Sequence, residues 1–195
     1  MNTASYITEL RKCKTLAGCC SGLVGPQGPA GPGVPPLYAS FISMTPQPVV
    51  QNTANPNSVA ITYDSRTIGT INVFGGTYPN SQIVIPITGV YRILFSAQVD
   101  STAGTHLIEI FPVVNGVSVP DSNTRISVDA VTETCLTVEY FLSLNMNDKL
   151  QLYMTGDSTA AAANARLLVL PSIPGIGGPT IPAVPSIIIT IQLIG

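Results

Sequence analysis

From Leu37 onward, apolar and polar residues alternate in short runs. In "GVYRILFSAQV", Gly89 to Val99, the side chains of Tyr91, Ile93, Phe95, Ala97 and Val99 share one face, while Arg92, Ser96 and Gln98 take the other. A period of two marks a half-buried strand, because successive Cβ atoms point to opposite faces of a sheet. "CLTVEYFLSL" repeats the pattern, with Leu136, Val138, Tyr140 and Leu142 alternating with Thr137 and Glu139, and "DKLQLYM" does so at Leu150, Leu152 and Met154. "HLIEIFPVVNGVSVP" reads as two strands around Asn115-Gly116, a dipeptide that favours a tight hairpin turn. Near the end, "SIIITIQLIG" places Ile187, Ile189, Ile191 and Leu193 on a core-lining side, with Thr190 and Gln192 opposed to them. Short strands at roughly ten-residue spacing, punctuated by Gly, Asn and Pro, predict an all-β sandwich or jelly roll.

Two stretches break the alternation. "LPSIPGIGGPTIPAVPS", Leu170 to Ser186, is apolar and proline-rich; it cannot be a central strand, and an exposed apolar loop of that length calls for a partner surface. In "CSGLVGPQGPAGPGVPP", Cys20 to Pro36, glycine recurs at Gly22, Gly25, Gly28 and Gly31, and proline follows three of these glycines. A glycine at every third position is what a collagen triple helix requires, because only glycine fits at its axis. Four triplets span only roughly 37 Å at about 3.1 Å per residue, too little to hold a triple helix alone. On these residues a collagen-like stem and a plain Pro/Gly linker both stand. The chain thus divides into an N-terminal tail or connector (residues 1–21), in which "SYITELRKCKTL" has length for one or two helical turns, a stem (22–36) and a β head (37–195).

Composition narrows the function. Charged residues make up 9% of the 195 and the net charge is −2, against roughly 25% charged in an ordinary soluble domain. So little like-charge repulsion suits a subunit that lives inside an assembly. It excludes a nucleic-acid binder, since "RKCK" at Arg11 to Lys14 is the only basic cluster. The start has no leader-like apolar run, no apolar stretch approaches the ~20 residues of a membrane span, and no asparagine lies in an N-x-S/T pattern. No signal peptide and no membrane partner are therefore expected. Cys13, Cys19 and Cys20 cluster beside the stem and Cys135 lies far downstream. Reduced cytosolic thiols are one reading; the clustering favours the other, interchain disulfides at Cys13, Cys19 or Cys20 once the particle meets an oxidising environment.

Candidate chemistry is sparse. "TGDST", Thr155 to Thr159, resembles the Gly-Asp-Ser nucleophile block of one esterase class, but such a serine needs a histidine base downstream, and the single histidine, His106, lies upstream at a strand start. Asp100, Asp121, Asp129, Asp148 and Asp157 fall mostly at predicted loop ends, where turn-capping is the commoner use of aspartate than calcium ligation. The expectation is no catalytic residue, no cofactor, no metal site and no enzyme.

The strand "TGVYRILFSAQV", followed by "FPVVNGVSVP", "CLTVEYFLSLNMNDKLQLYMTGDS" and the closing apolar strand, resembles the complement-q and tumour-necrosis-factor superfamily over roughly residues 37–195. It is similar in particular to the C-terminal domains of collagen-like glycoproteins of the Bacillus exosporium. "LVGP" at Leu23 to Pro26 matches their leader over four residues, with "QGPAGPG" standing where they carry a longer proline-rich run. The resemblance implies a ten-stranded jelly roll, a homotrimer and a collagen stem. A trimeric head would hold three short stems in register, offsetting the entropy they cannot overcome alone. It further implies a structural role: a self-assembling homotrimer in a spore-surface filament or coat, its tails docked onto the adjacent trimer, with other spore-coat proteins as further partners. A virion-surface or capsid-associated trimer and a receptor- or glycan-binding head are the alternatives. Ile187, Ile189, Ile191 and Leu193 are the candidates for the trimer core.

Overall fold

A computed structural model describes residues 37–49, 58–156, 164–175 and 178–195. The tail, the stem with Gly22, Gly25, Gly28 and Gly31, the thiols Cys13, Cys19 and Cys20, and the Asp157–Thr159 end of "TGDST" lie outside the described residues.

Among the described residues, fourteen strands run in chain order. They are β1 Tyr38–Ser43, β2 Gln47–Pro48, β3 Val59–Ala60, β4 Ser65–Gly69, β5 Asn72–Val73, β6 Ile83–Val84 and β7 Gly89–Ser101. After these come β8 His106–Val114, β9 Val117–Ser118, β10 Thr124–Val128, β11 Thr134–Leu144, β12 Lys149–Gly156, β13 Ala165–Leu167 and β14 Ile187–Leu193. All their pairings are antiparallel, and they form two seven-stranded sheets. In the first sheet β7 takes β11 on one side and β14 and β13 on the other; β1 and β4 continue beyond β14, and β2 adds to β13. In the second, β12 and β8 are neighbours, with β10 and β9 on β8, and β6 and β3 on β12. The expected all-β sandwich is what forms, though cut more finely than ten strands because several pairings last only two residues.

The alternation explains the core. Tyr91, Ile93, Phe95, Ala97 and Val99 of β7 have no exposed surface, and they pack with Ile108, Ile110, Leu150 and Leu152 of the second sheet. Each large side chain buried this way contributes about 1.5–3 kcal/mol. Ile187, Ile189 and Ile191 are likewise at 0% exposure in the same cluster, with Leu193 half-buried against it. This corrects their assignment to a trimer core, since the isoleucines have no surface left to offer a second copy. Their register opposite Ala97, Phe95 and Ile93 turns them into their own sandwich.

Local chemistry fixes the corners. Asn115 (φ 53°) and Gly116 (φ 82°) both lie in the left-handed region between β8 and β9, as a two-residue hairpin turn of the primed type requires. The Tyr91 hydroxyl donates to the carbonyl of Ile87, four residues upstream, at 2.7 Å, which anchors the entry to β7 in the manner of a tyrosine corner. Burial raises that phenol's pKa. Gly69 (φ 116°) ends β4 so close to β1 that a Cβ there would lie 2.1 Å from the Tyr38 carbonyl oxygen. In the segment from Leu170 to Ser186 the described residues form no strand, as expected: isolated bridges join Leu170 to Val184 and Ile173 to Ile181, and both latter isoleucines are more than half exposed. Ser186 closes it, its hydroxyl donating to the carbonyls of Ser43 and Thr45.

Gly69→Ala adds both a backbone clash and a strained φ, so it should cost about 2–4 kcal/mol. Gly116→Ala, with open space around its Cβ position, should cost only about 1 kcal/mol; urea midpoints at constant m-value measure both. The Tyr63 hydroxyl is fully buried with no partner among the described residues, and burial drives its pKa far up. Tyr63→Phe should therefore be neutral or stabilise by up to about 1 kcal/mol, and a clear loss of stability in the same titration would show that the hydroxyl is satisfied.

Candidate functional site

The first sheet has one face on the core and one open, and the open face is unusual. Register assembles it in rows across the strands. Tyr38, Gln192, Arg92 and Phe141 form one; Ile68, Ser40, Thr190, Leu94 and Glu139 the next; Ser65, Ile42, Ile188, Ser96 and Thr137 the third. An antiparallel sheet with one solvated face normally reads polar there. Here Phe141 is 60% exposed, Ile68 58%, and Tyr38 and Ile188 37% each, with hydroxyls and one amide between them. Across these rows the charged side chains are Arg92 and Glu139, and they pair with each other. An exposed pair of this kind adds only about 0–1 kcal/mol to stability; its larger effect is to leave the face with no net charge.

The sequence carried a signal for this face. "TVEYFLSL" and "SIIIT" contain consecutive apolar residues, Tyr140-Phe141-Leu142 and Ile187-Ile188-Ile189, inside strands. Consecutive apolar residues in a strand mean apolar surface on both faces. Phe141 and Ile188 are the outward members, and selecting the stronger alternation passed over them.

The other candidate groups are held in structural contacts. Asp100 binds Arg166 through both carboxylate oxygens, and that hydrogen bonding raises the guanidinium pKa. Asp129 accepts from the backbone N–H groups of Val131 and Thr132, which hold its carboxyl below the usual range. Asp148 accepts from the Asn115 side-chain amide and the Asn145 N–H, and Asp121 occupies a left-handed turn position. For Asp121, Asp129 and Asp148 these are the turn and loop uses expected of them, whereas Asp100 lies inside β7 in a cross-strand ion pair; Asp157 lies outside the described residues. Asp64 gathers Ser43 Oγ, the Met44 N–H and Thr45 Oγ1, closing the corner after β1. His106 starts β8, with Nε2 2.8 Å from the Ala103 carbonyl oxygen. Cys135 is free and exposed, its sulfur 3.0 Å from Ser96 Oγ and 3.6 Å from Thr137 Oγ1. Among the described residues no three metal-ligating side chains converge, and no helix is long and apolar enough to cross a membrane.

The second sheet's open face differs. The register sets Tyr153 opposite Phe111, and Thr155 and Arg125 on either side of Glu109. The Phe111 and Tyr153 rings lie 6.3 Å apart between centroids, 28° from parallel. With Ser58, Ser118 and the Glu109–Arg125 pair they line a hollow of about 570 Å³.

No family model matches the chain, and no curated protein does. Among solved structures, the globular domain of a zebrafish complement 1qA protein is similar in chain path, with a TM-score of 0.48 and 10% identity, over 82% of this chain and 98% of that one. The two-sheet assignment here stands on the strand pairings themselves.

Proposed function

We propose that the chain is a non-enzymatic structural subunit that associates as a homotrimer through the outer face of the β4–β1–β14–β7–β11 sheet and polymerises into a surface filament or coat. The observation that carries this reading is that sheet face, with apolar side chains at its edges and centre and its one ion pair neutralised within the face. Such a surface costs little to desolvate and gains from burial, which is the condition for stable self-association. A chain with 9% charged residues has little to oppose it.

In this reading residues 22–36 form a collagen-like spacer, and residues 1–21 dock onto the adjacent trimer, where Cys13, Cys19 or Cys20 seal the contact when oxidised. Three tails engaging together gain effective concentration, and a head-to-tail contact that does not close on itself builds a fibre. The exposed Ile173 and Ile181 of the proline-rich arm add apolar surface for contacts between trimers. Placement at a spore surface rests on the resemblance of the stem and head to exosporium glycoproteins. The non-enzymatic reading is supported by His106, whose ring is tied to a turn carbonyl, and by Asp100, Asp129 and Asp148, which are spent on an ion pair and on turns.

Light scattering of the full chain should give three times the monomer mass or multiples of it. Ile188→Asp and Phe141→Asp place a carboxylate on the outer face and should yield folded monomers with unchanged circular dichroism. Ile189→Asp buries an unpaired carboxylate at a cost of several kcal/mol and should fail to fold. Persistent trimers in both outer-face variants would overturn the proposed interface. Deleting residues 2–20 should leave folded trimers that never polymerise; fibres of normal diameter from the deletion, seen by electron microscopy, would remove the tail as connector.

A further inference from the structure

We propose that the outer face of the second sheet carries a binding groove for neutral carbohydrate, with Phe111 and Tyr153 as its floor and the Glu109–Arg125 pair as its hydrogen-bonding wall. The groove is on the opposite sheet from the face assigned to self-association, so the two inferences stand or fall separately.

The antiparallel register of β8 and β12 makes the floor, because it sets Tyr153 directly opposite Phe111. Cross-strand partners on one face interact closely, and these two rings lie near-parallel, 6.3 Å apart. Both residues are half-buried, so part of each ring is left open to the hollow above. Pro112 sits where the far edge of β8 passes from β10, which pairs up to Ile110, to β9, which begins pairing at Val113. That break opens the sheet beside Phe111, where Ser118, Asp121 and Asn123 border a second recess. The main hollow, about 570 Å³, falls within the roughly 300–1,000 Å³ of small-ligand sites.

The wall selects the ligand class. Glu109 accepts hydrogen bonds from Arg125 and from the Asn123 side-chain amide, so an acceptor and fixed donors lie side by side next to the rings. The Arg125 side chain is 61% exposed and that of Glu109 17%, so the guanidinium is the more open of the two, and a narrower part of the carboxylate side chain faces solvent. A hydroxyl group donates and accepts at once, and can hydrogen-bond the carboxylate and the guanidinium together. A pyranose joins an apolar C–H face to a rim of such hydroxyls, which matches an aromatic floor beside a donor–acceptor wall. An apolar ligand would take the charged pair out of water with nothing in exchange. A proline-rich segment could rest on the rings, but its prolines bring carbonyl acceptors and no N–H, so they add no donor of their own to Glu109. The pair has no net charge, so an acidic sugar gains nothing over a neutral one.

The groove continues along β12. A hollow of about 440 Å³ shares Tyr153 and Gly116 with the first and adds Asn115, Lys149 and Gln151. Side-chain amides dominate that end, and Gln151 is held in place by its Nε2 donating to Ser81 Oγ at 2.9 Å. Lys149 is drawn aside over the Phe74 ring, 4.1 Å from its centroid. Two adjoining hollows that share one aromatic residue fit a short oligosaccharide better than a single sugar.

The test is titration calorimetry of the full chain against chitotetraose, cellotetraose and mannotetraose, with a synthetic peptide of residues 25–36 as the proline-rich comparison. At least one oligosaccharide should bind saturably, with little dependence on salt because no charge is neutralised. Tyr153→Ala and Phe111→Ala should each weaken that binding at least about tenfold, with circular dichroism and particle mass unchanged. Saturation-transfer NMR on the unmodified protein keeps the test open if either variant misfolds: irradiating aromatic protein resonances should mark the sugar's ring protons. Absence of binding by all three sugars at 10 mM (roughly the weakest affinity of interest), binding that survives both substitutions in folded protein, or binding of the peptide alone would each overturn the proposal.

Discussion

The structure depends on the register of one strand. β7 runs for 13 residues and is paired along both edges, with β11 from Gly89 to Val99 and with β14 and then β13 on the other side. Because side chains alternate with a period of two, a slip of one residue would turn Tyr91, Ile93, Phe95, Ala97 and Val99 out of the core together. Their complete burial makes such a slip very costly. The same register dictates what the opposite face displays: Arg92, Leu94 and Ser96 emerge because their neighbours are buried, and β14 and β11 are forced to present Ile188 and Phe141 beside them. The core and the surface assigned to self-association are thus two consequences of one alignment.

Much of this was legible in the sequence, for physical reasons. Alternation over seven or more residues identified β7, β11, β12 and β14, and Asn115-Gly116 marked its hairpin because both positions need positive φ. Alternation shows that a side chain is buried, however, and not against what. Ile187, Ile189 and Ile191 read equally well as facing a trimer axis or their own core, and only pairing with Ala97, Phe95 and Ile93 decides it. Two-residue strands such as β5 and β6 have no period to read. The demands on Gly69 come from a contact with Tyr38, thirty-one positions away by number, which composition cannot reveal. Phe111 and Tyr153 become neighbours only when β8 and β12 pair, so their groove was invisible along the chain.

The scarcity of charge acquires a structural meaning. Among the described residues, ionised side chains pair across strands, Arg92 with Glu139, Arg125 with Glu109, Arg166 with Asp100, or serve in turns, as Asp129 and Asp148 do. Each pairing neutralises a patch of sheet that would otherwise repel an approaching surface. The cost is solubility, since a chain of this composition has weak colloidal repulsion. In the proposed assembly, burial of the first sheet's outer face against further copies would take its exposed apolar side chains out of water.

In the two proposals the open faces divide the work by shape. The first sheet's face has rows of aliphatic, aromatic and hydroxyl groups on adjacent strands, which suit packing against a broad protein surface. The second is interrupted at Pro112 and hollowed around Phe111 and Tyr153, which suits a small ligand. Using one face for assembly leaves the other turned outward, so the proposed trimer displays three grooves at fixed separations. Contacts of sugars with single aromatic floors are weak, but three held on one rigid particle, and many more along a fibre, multiply effective concentration by orders of magnitude where the ligand is also repeated. Weak, charge-independent single sites on a polymer give durable attachment that stays reversible one site at a time. Polymerisation would then set the strength of surface attachment without any improvement in the individual groove.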